Sequence, residues 1–168
     1  MARTSLREYQ RDLAERLRSA GRGVAASKLG MQVGTQSWLV DLADAGEVIP
    51  VPPITPVPLT KPWFRGMTNI RGNLYSVVDF PAFLGGKPVG TSSEARLLLI
   101  GERFRTGVSL LVDRSLGLRG EGQLRPRASE KEKAAWVKAE HTDADGREWV
   151  ELDVPQLIQH AEFLGVAI

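Results

Sequence analysis

The segment from 49 to 62, IPVPPITPVPLTKP, restricts the fold of this chain more than any other, because it holds six of the ten prolines. Proline fixes φ and lacks a backbone N–H, so the segment cannot form a helix or a central strand. Valine and isoleucine between the prolines favour an extended connector that docks on a surface over a disordered linker. We therefore expect the connector to lie across strands formed by the rest of the chain.

Pairs of short apolar runs around turn residues predict β-hairpins on both sides of this connector. The pairs join 28–33 to 37–42, 67–70 to 74–78, 95–101 to 104–112, and 134–141 to 147–152. We place the second turn at Gly72-Asn73, and in the last hairpin we expect Trp136 and Trp149 to pack as a cross-strand pair. Hairpins without long intervening helices predict a mainly all-β fold of small antiparallel barrels.

Two similar stretches follow strand candidates, VVDFPAFLG at 77–85 and ELDVPQLIQ at 151–159. In each, an aspartate can cap a short helix that has proline in its first turn. The first helix is predicted over 80–84 and the last from Asp153 to about Leu164. This repetition suits a body of two similar lobes.

The first residues predict an amphipathic helix, since Leu6, Tyr9, Leu13 and Leu17 recur at helical spacing. We divide the chain into an N-terminal arm, 1–23, and one domain, 24–168. The arm either packs on its own domain or docks elsewhere, for example on a membrane surface. It lacks the apolar core of a signal peptide, and no apolar run is long enough to cross a bilayer, so we expect a cytoplasmic protein without membrane insertion.

The charge of the chain is concentrated in the arm. Residues 1–30 hold seven basic and three acidic side chains, a net of +4, while the whole chain carries +2. A nucleic-acid-binding protein usually has its basic patch on the folded surface, so nucleic acid is not the expected partner. The alternative of a small nucleic-acid-binding barrel that uses the basic arm stays open.

We find no residues arranged for catalysis. Cysteine is absent, His141 and His160 are the only histidines, and neither lies in a metal-binding spacing such as HExxH. The GxSxG elbow of serine nucleophiles is also missing. We therefore expect neither enzymatic activity nor a cofactor or metal.

The run GMTNIRGNLYSVVDF, 66–80, resembles the signature of the CheW family, in which G-x-x-N-[LI]-R-G precedes a strand and V-x-D-[LF] leads into a short helix. The resemblance covers roughly 25 to 168. Together with the Trp63-Phe64 pair, the sequence of this run is most similar to that of the CheW-like proteins of type IV pilus systems.

The resemblance implies two five-stranded antiparallel barrels packed around a shared core. It implies a non-enzymatic adaptor between the cytoplasmic tip of a methyl-accepting chemoreceptor and the regulatory domain of a CheA-type histidine kinase. The process would be twitching motility, and the location would be the membrane receptor array. The partner-binding residues would be Ala45, Glu47, Gly66, Asn69, Arg71 and Gly72.

Two expectations concern this site. Gly66 and Gly72 remove side chains around Arg71, which predicts a shallow groove where another backbone can approach. Glu47 is expected to form an ion pair with Arg71 across neighbouring strands, since a guanidinium in an apolar region needs a carboxylate partner.

Overall fold

The computed structural model describes residues 27–129 and 131–168, together with Gln10, Arg11 and Ala14. In this part of the chain eleven strands, β1 to β11, occupy Lys28–Val33, Gln36–Asp41, Ala45–Pro50, Phe64–Ile70, Asn73–Asp79, Arg96–Ile100, Val108–Val112, Arg114–Arg119, Leu124–Arg127, Val137–Asp143 and Glu148–Leu152. After residue 27 the described chain also contains three short α-helices, α1 to α3, at Phe80–Phe83, Val154–Gln159 and Ala161–Leu164, and two 3₁₀ turns at Glu102–Phe104 and Glu121–Gln123. Gln10, Arg11 and Ala14 are helical and exposed, and the rest of the helix predicted over 1–23 lies outside the described residues.

The strands form two sheets, which confirms the mainly all-β fold. One sheet has six strands in the order β8-β1-β2-β11-β10-β9, and the other has five in the order β3-β6-β7-β5-β4. The prediction of two five-stranded, wholly antiparallel lobes needs correction in two respects. β9 adds a sixth strand to one sheet, and each sheet contains a parallel pair, β2 with β11 and β5 with β7. Residues far apart in the chain form these parallel pairs, so no local pattern indicates them.

The two sheets repeat one arrangement of strands, in agreement with the sequence echo. The hairpin β4–β5 leads into α1, and the hairpin β10–β11 leads into α2. Asp79 accepts a hydrogen bond from the backbone N–H of Ala82, and Asp153 accepts one from that of Gln156, so both predicted caps are present. The last helix is interrupted at His160, whose extended backbone ends α2 and whose ring nitrogen Nδ1 caps α3.

The main core lies between the two sheets. Side chains from both sheets meet α1, α2 and α3 in a buried apolar cluster that includes Met31, Trp38, Val78, Phe80, Leu98, Leu110, Leu152 and Leu157. The five-stranded sheet also encloses an apolar cluster on its other face, built around Val77, Leu97, Leu99 and Leu111. The corresponding cluster of the six-stranded sheet is smaller, with Leu39, Leu124 and Trp149.

The expected pairing of Trp136 with Trp149 is wrong. Trp149 is fully buried and lies opposite His141 in the hairpin register, where its indole N–H donates to Asp143 at 3.0 Å. Trp136 precedes β10 and packs edge-on against the ring of His160, with centroids 4.9 Å apart. The hairpin itself was predicted, but its first strand begins at 137, which leaves Trp136 outside the ladder.

The connector docks on the five-stranded sheet. Thr55 and Met67 exchange two backbone hydrogen bonds, of 2.8 and 2.9 Å, and the Thr68 hydroxyl donates to the Pro53 carbonyl at 2.9 Å. This edge of β4 is therefore covered by an extended, proline-rich segment, as predicted. None of the helices in the described part of the chain has the length and apolar content needed to cross a membrane.

Candidate functional site: an exposed turn of the five-stranded sheet

The turn between β4 and β5 has Arg71 and Gly72 as its two central residues, not Gly72 and Asn73 as predicted. Ile70 pairs with Asn73, and the φ angles of Arg71 and Gly72 are 50° and 86°. Positive φ at both central positions is the signature of a type I′ turn, which matches the twist of a two-residue hairpin. The Asn69 side-chain oxygen accepts a hydrogen bond of 2.9 Å from the Gly72 N–H and so fixes the turn.

The predicted ion pair between Glu47 and Arg71 is present. Arg71 Nη2 bonds Glu47 Oε2, and both side chains are exposed, at 69% for Arg71 and 43% for Glu47. The hydrogen bond that Arg71 donates to Glu47 holds the pKa of Arg71 above its ordinary value. Because the pair is exposed, it contributes little to stability.

The two partners do not lie on neighbouring strands, however. Glu47 belongs to β3 and Arg71 follows β4, and these strands stand at opposite ends of the strand order. The pair therefore joins the two edges of a sheet that curves back on itself. This geometry explains how an arginine at a turn reaches a carboxylate four strands away in the order.

Gly66 does not contribute to an open groove. It is buried, its φ is +133°, and a Cβ added there would overlap the carbonyl oxygen of Thr55. Gly72, in contrast, has no atom within 4 Å of an added Cβ. The groove expected from Gly66 to Gly72 is thus closed by the connector at one end and open at the other.

The residue before Gly66 has a structural role. Arg65 Nη1 lies 3.0 Å from Asp79 Oδ2, and Asp79 is fully buried. The same carboxylate accepts hydrogen bonds from the N–H groups of Ala82 and Val89, so it joins α1, β4 and the loop after α1. The first Arg-Gly pair of the sequence is therefore tied into the packed body of the lobe, whereas the second is more exposed, with the Arg71 side chain 69% exposed against 37% for Arg65.

A depression lies beside the exposed turn and supplies an apolar contact that the sequence reasoning missed. It has a volume of about 380 Å³ and is lined by Asn73, Leu74, Tyr75, Ile100, Gly101, Glu102, Arg105, Thr106 and Gly107. Leu74 is 62% exposed there. Strand alternation accounts for this exposure once the inward face of β5 is known, because Tyr75 and Val77 belong to the interior cluster of this lobe and Leu74 faces the other way.

We call Glu47, Asn69, Arg71, Gly72 and Leu74 the Arg71 surface. It brings together four of the six predicted partner-binding residues. Ala45, the fifth, is half-buried at the start of β3 opposite Ile100, and Gly66, the sixth, is covered. The surface combines charge, one exposed apolar side chain and a side-chain-free glycine, which suits the binding of another protein.

Among the described residues, no three His, Asp or Glu side chains converge where they could hold a metal ion. The nucleic-acid alternative rests on basic residues of 1–30, most of which lie outside the described part of the chain.

Comparison with known proteins places this geometry in a family. A family model of the CheW-like domain matches residues 28–162. The protein PilI of Pseudomonas aeruginosa is 28% identical over 115 residues, which cover 64% of this chain and 64% of PilI. The chemotaxis protein CheW of Rhizobium meliloti is 31% identical over 100 residues, which cover 60% of this chain and 61% of that protein.

A solved structure shares the fold. The scaffolding protein TtCheW of Thermoanaerobacter tengcongensis superposes with a TM-score of 0.63 at 20% identity, covering 76% of this chain and 88% of TtCheW. The matched region spans less than two thirds of the length of PilI, at 64%, and of the Rhizobium meliloti protein, at 61%. Since the family model matches 28–162, from the first strand to the last helix, the chain belongs to the CheW-like domain family.

Proposed function

We propose that this protein is a non-enzymatic adaptor that couples a chemoreceptor to a CheA-type histidine kinase. The observation that carries the proposal is the CheW-like family match over 28–162, which includes both sheets. The name of the relative PilI supports a more specific assignment, to a chemosensory system that controls type IV pili. In this role the protein binds the receptor and the kinase and lets the receptor control the activity of the kinase. It catalyses no reaction of its own.

The Arg71 surface is the receptor-binding site in this proposal. A receptor tip is helical, and a helix that docks on a protein needs an apolar contact flanked by polar ones. Leu74 offers the apolar contact, and the depression beside it can accept side chains of the helix. Gly72 lets the helix backbone come close, because no side chain covers the turn.

The fold also keeps this surface rigid. The type I′ turn is fixed by Asn69, and the Glu47–Arg71 pair joins the two edges of the sheet. A surface that is already ordered loses little conformational entropy on binding. A modest interface can then give a specific contact that is still reversible, as a switchable array requires.

The test is a reconstituted kinase assay with receptor, kinase and this protein. Gly72→Trp fills the open turn, and Gly72→Ala is its matched control, since it introduces the same positive-φ strain without bulk. Gly146→Trp is a second control, because Gly146 also has a positive φ, of 81°, and open space around it, but lies in the turn between β10 and β11 of the other sheet. We expect the wild type and both controls to support receptor-dependent kinase activity and Gly72→Trp to lose it.

Two results would contradict the proposal at different levels. Kinase activity that does not depend on the wild-type protein would exclude the adaptor function. Equal coupling by folded Gly72→Trp and Gly72→Ala would leave the adaptor function intact and exclude the Arg71 surface as its receptor contact.

The pilus assignment has its own test. Co-purification from native cells, followed by identification of the bound receptor and kinase, should yield the components encoded with a pilus system. Deletion of the gene should then abolish twitching and leave swimming unchanged. Recovery of flagellar components alone would reject the pilus assignment.

A further inference from the structure

The six-stranded sheet encloses a cluster of ionisable side chains that the proposed adaptor function does not use. Lys28 Nζ lies 2.5 Å from Glu151 Oε1, and His141 Nε2 lies 3.2 Å from Glu151 Oε2. The side chains of Lys28 and Glu151 are only 8% and 5% exposed. The second ring nitrogen of His141, Nδ1, is buried and has no hydrogen-bond partner in the structure.

The five-stranded sheet shows that this fold does not need charges at these positions. Glu151 and Val77 each lie two residues before a helix-capping aspartate, on equivalent strands. Glu151 and Val77 pair with Leu39 and Ser109, which in turn pair with Gly30 and Leu99, so Lys28 corresponds to Leu97. Both Val77 and Leu97 are fully buried. One lobe thus fills its interior with aliphatic side chains where the other has an ion pair.

A buried ion pair is a costly way to fill these positions. Desolvation of two charges often exceeds their attraction, and apolar residues of similar volume are commonly as stable or more stable. Burial alone would raise the pKa of Glu151, but hydrogen bonds from Lys28 and His141 hold it below the ordinary value. Glu151 is therefore ionised at neutral pH, and the charges are not explained by stability.

The cluster borders a cavity of about 420 Å³, lined by Lys28, Leu124, Pro126, Lys138, His141 and Glu151. This volume is within the usual range of small-molecule sites, about 300 to 1,000 Å³. Among the described residues no carboxylate lies within ion-pair distance of Lys138, so the lining has one more positive than negative charge. Glu151 is already paired, which leaves the ammonium of Lys138 and the outer protons of Lys28 to a ligand.

We propose that this cavity binds a small anionic group, a carboxylate or a phosphate, between Lys28 and Lys138. His141 lines the same cavity, and its Nε2 bonds Glu151, so it helps to hold the carboxylate away from the anion. The group comes either from a free small molecule or from an acidic side chain of a partner protein. The cavity belongs to the six-stranded sheet and is separate from the Arg71 surface, so the two proposals are independent.

The test is isothermal titration calorimetry of the full chain with inorganic phosphate, acetate and a capped Gly-Glu-Gly tripeptide, each at constant ionic strength set with chloride. Saturable 1:1 binding of phosphate or acetate identifies a free small anion. Saturable binding of the tripeptide alone identifies a partner's side chain. Absence of saturable binding for all three probes overturns the proposal.

Matched variants locate any binding that is found. Lys28→Met with Glu151→Leu replaces the cluster by apolar residues of similar volume, and we expect it to fold, as circular dichroism would verify, and to bind none of the probes. Lys138→Gln should weaken the affinity about threefold, as expected for the loss of one exposed charge, and Lys133→Gln should leave it unchanged. Equal affinity of the wild type and the folded double variant would show that the anion binds elsewhere.

Discussion

Gly66→Ala should lower the free energy of unfolding much more than Gly72→Ala, although both glycines follow an arginine in the same hairpin. At Gly66 the added Cβ overlaps the Thr55 carbonyl, so the connector must move and lose its two hydrogen bonds to Met67. Each bond contributes about 0.5 to 1.5 kcal/mol, and a residue other than glycine at such a backbone conformation costs about 1 to 3 kcal/mol. Gly66→Ala should therefore lower the free energy of unfolding by about 2 to 6 kcal/mol.

At Gly72 only backbone strain remains, because nothing lies within 4 Å of an added Cβ. The left-handed conformation costs about 1 to 2 kcal/mol, and the lower entropy of the unfolded alanine chain offsets part of it. Urea unfolding should thus show a midpoint fall on the order of 2 M for Gly66→Ala and of 0.5 M for Gly72→Ala, at about 2 kcal/mol per M. Limited proteolysis should also cut the connector faster in Gly66→Ala alone. Equal midpoints for the two variants would refute the close contact between connector and Gly66.

Three further predictions concern the charged side chains. Glu47→Gln should leave the urea midpoint almost unchanged, because the pair with Arg71 is exposed, and a large fall would contradict that. Lys28→Met alone should lower the free energy of unfolding by about 3 to 5 kcal/mol, because buried Glu151 loses its ammonium partner, whereas Lys28→Met with Glu151→Leu should cost only the hydrogen bond of His141, about 1 kcal/mol; equal costs in urea unfolding would argue against a buried pair. Since the folded-state pKa of Glu151 is lowered from 4.5, its contribution is present above that pH and is lost as the pH falls through the folded value. From pH 6 to pH 3 the wild type should therefore lose more stability than the double variant, and parallel curves would exclude this role of Glu151.

Local signals were sufficient to predict most of the hairpins and both helix caps. The turn of β1–β2, the aspartates at 79 and 153, and the prolines that follow them act within a few residues, so the sequence displays them directly. β8 and β9 were missed because they are largely exposed, with arginines among few apolar side chains, and so lack a clear alternation. The parallel pairs were missed because the two strands of each pair are far apart in the sequence, with at least one other strand between them.

The sequence predicted most of the residues that form the candidate site, but not which of them are exposed to solvent. The family resemblance indicated Glu47 and Arg71, and the structure brings them together. The resemblance did not indicate that the connector covers Gly66, because this contact joins segments that are independent in sequence. Leu74 was overlooked since an exposed leucine in an apolar strand is visible only after the buried face of that strand is known.

The repeated lobe shows why its interior can differ so much between the two copies. Its backbone is held by ladder hydrogen bonds and by an aspartate cap, and in both copies the capping residue's N–H donates at 2.7 Å to the carbonyl of a tryptophan, Trp63 or Trp136. These bonds do not depend on which side chains fill the lobe. Aliphatic residues make the five-stranded lobe a rigid base for the Arg71 surface, while the six-stranded lobe keeps charges that stability alone does not require. The common skeleton therefore leaves each interior free for a different task, which is the physical basis for expecting two separate binding sites in one small domain.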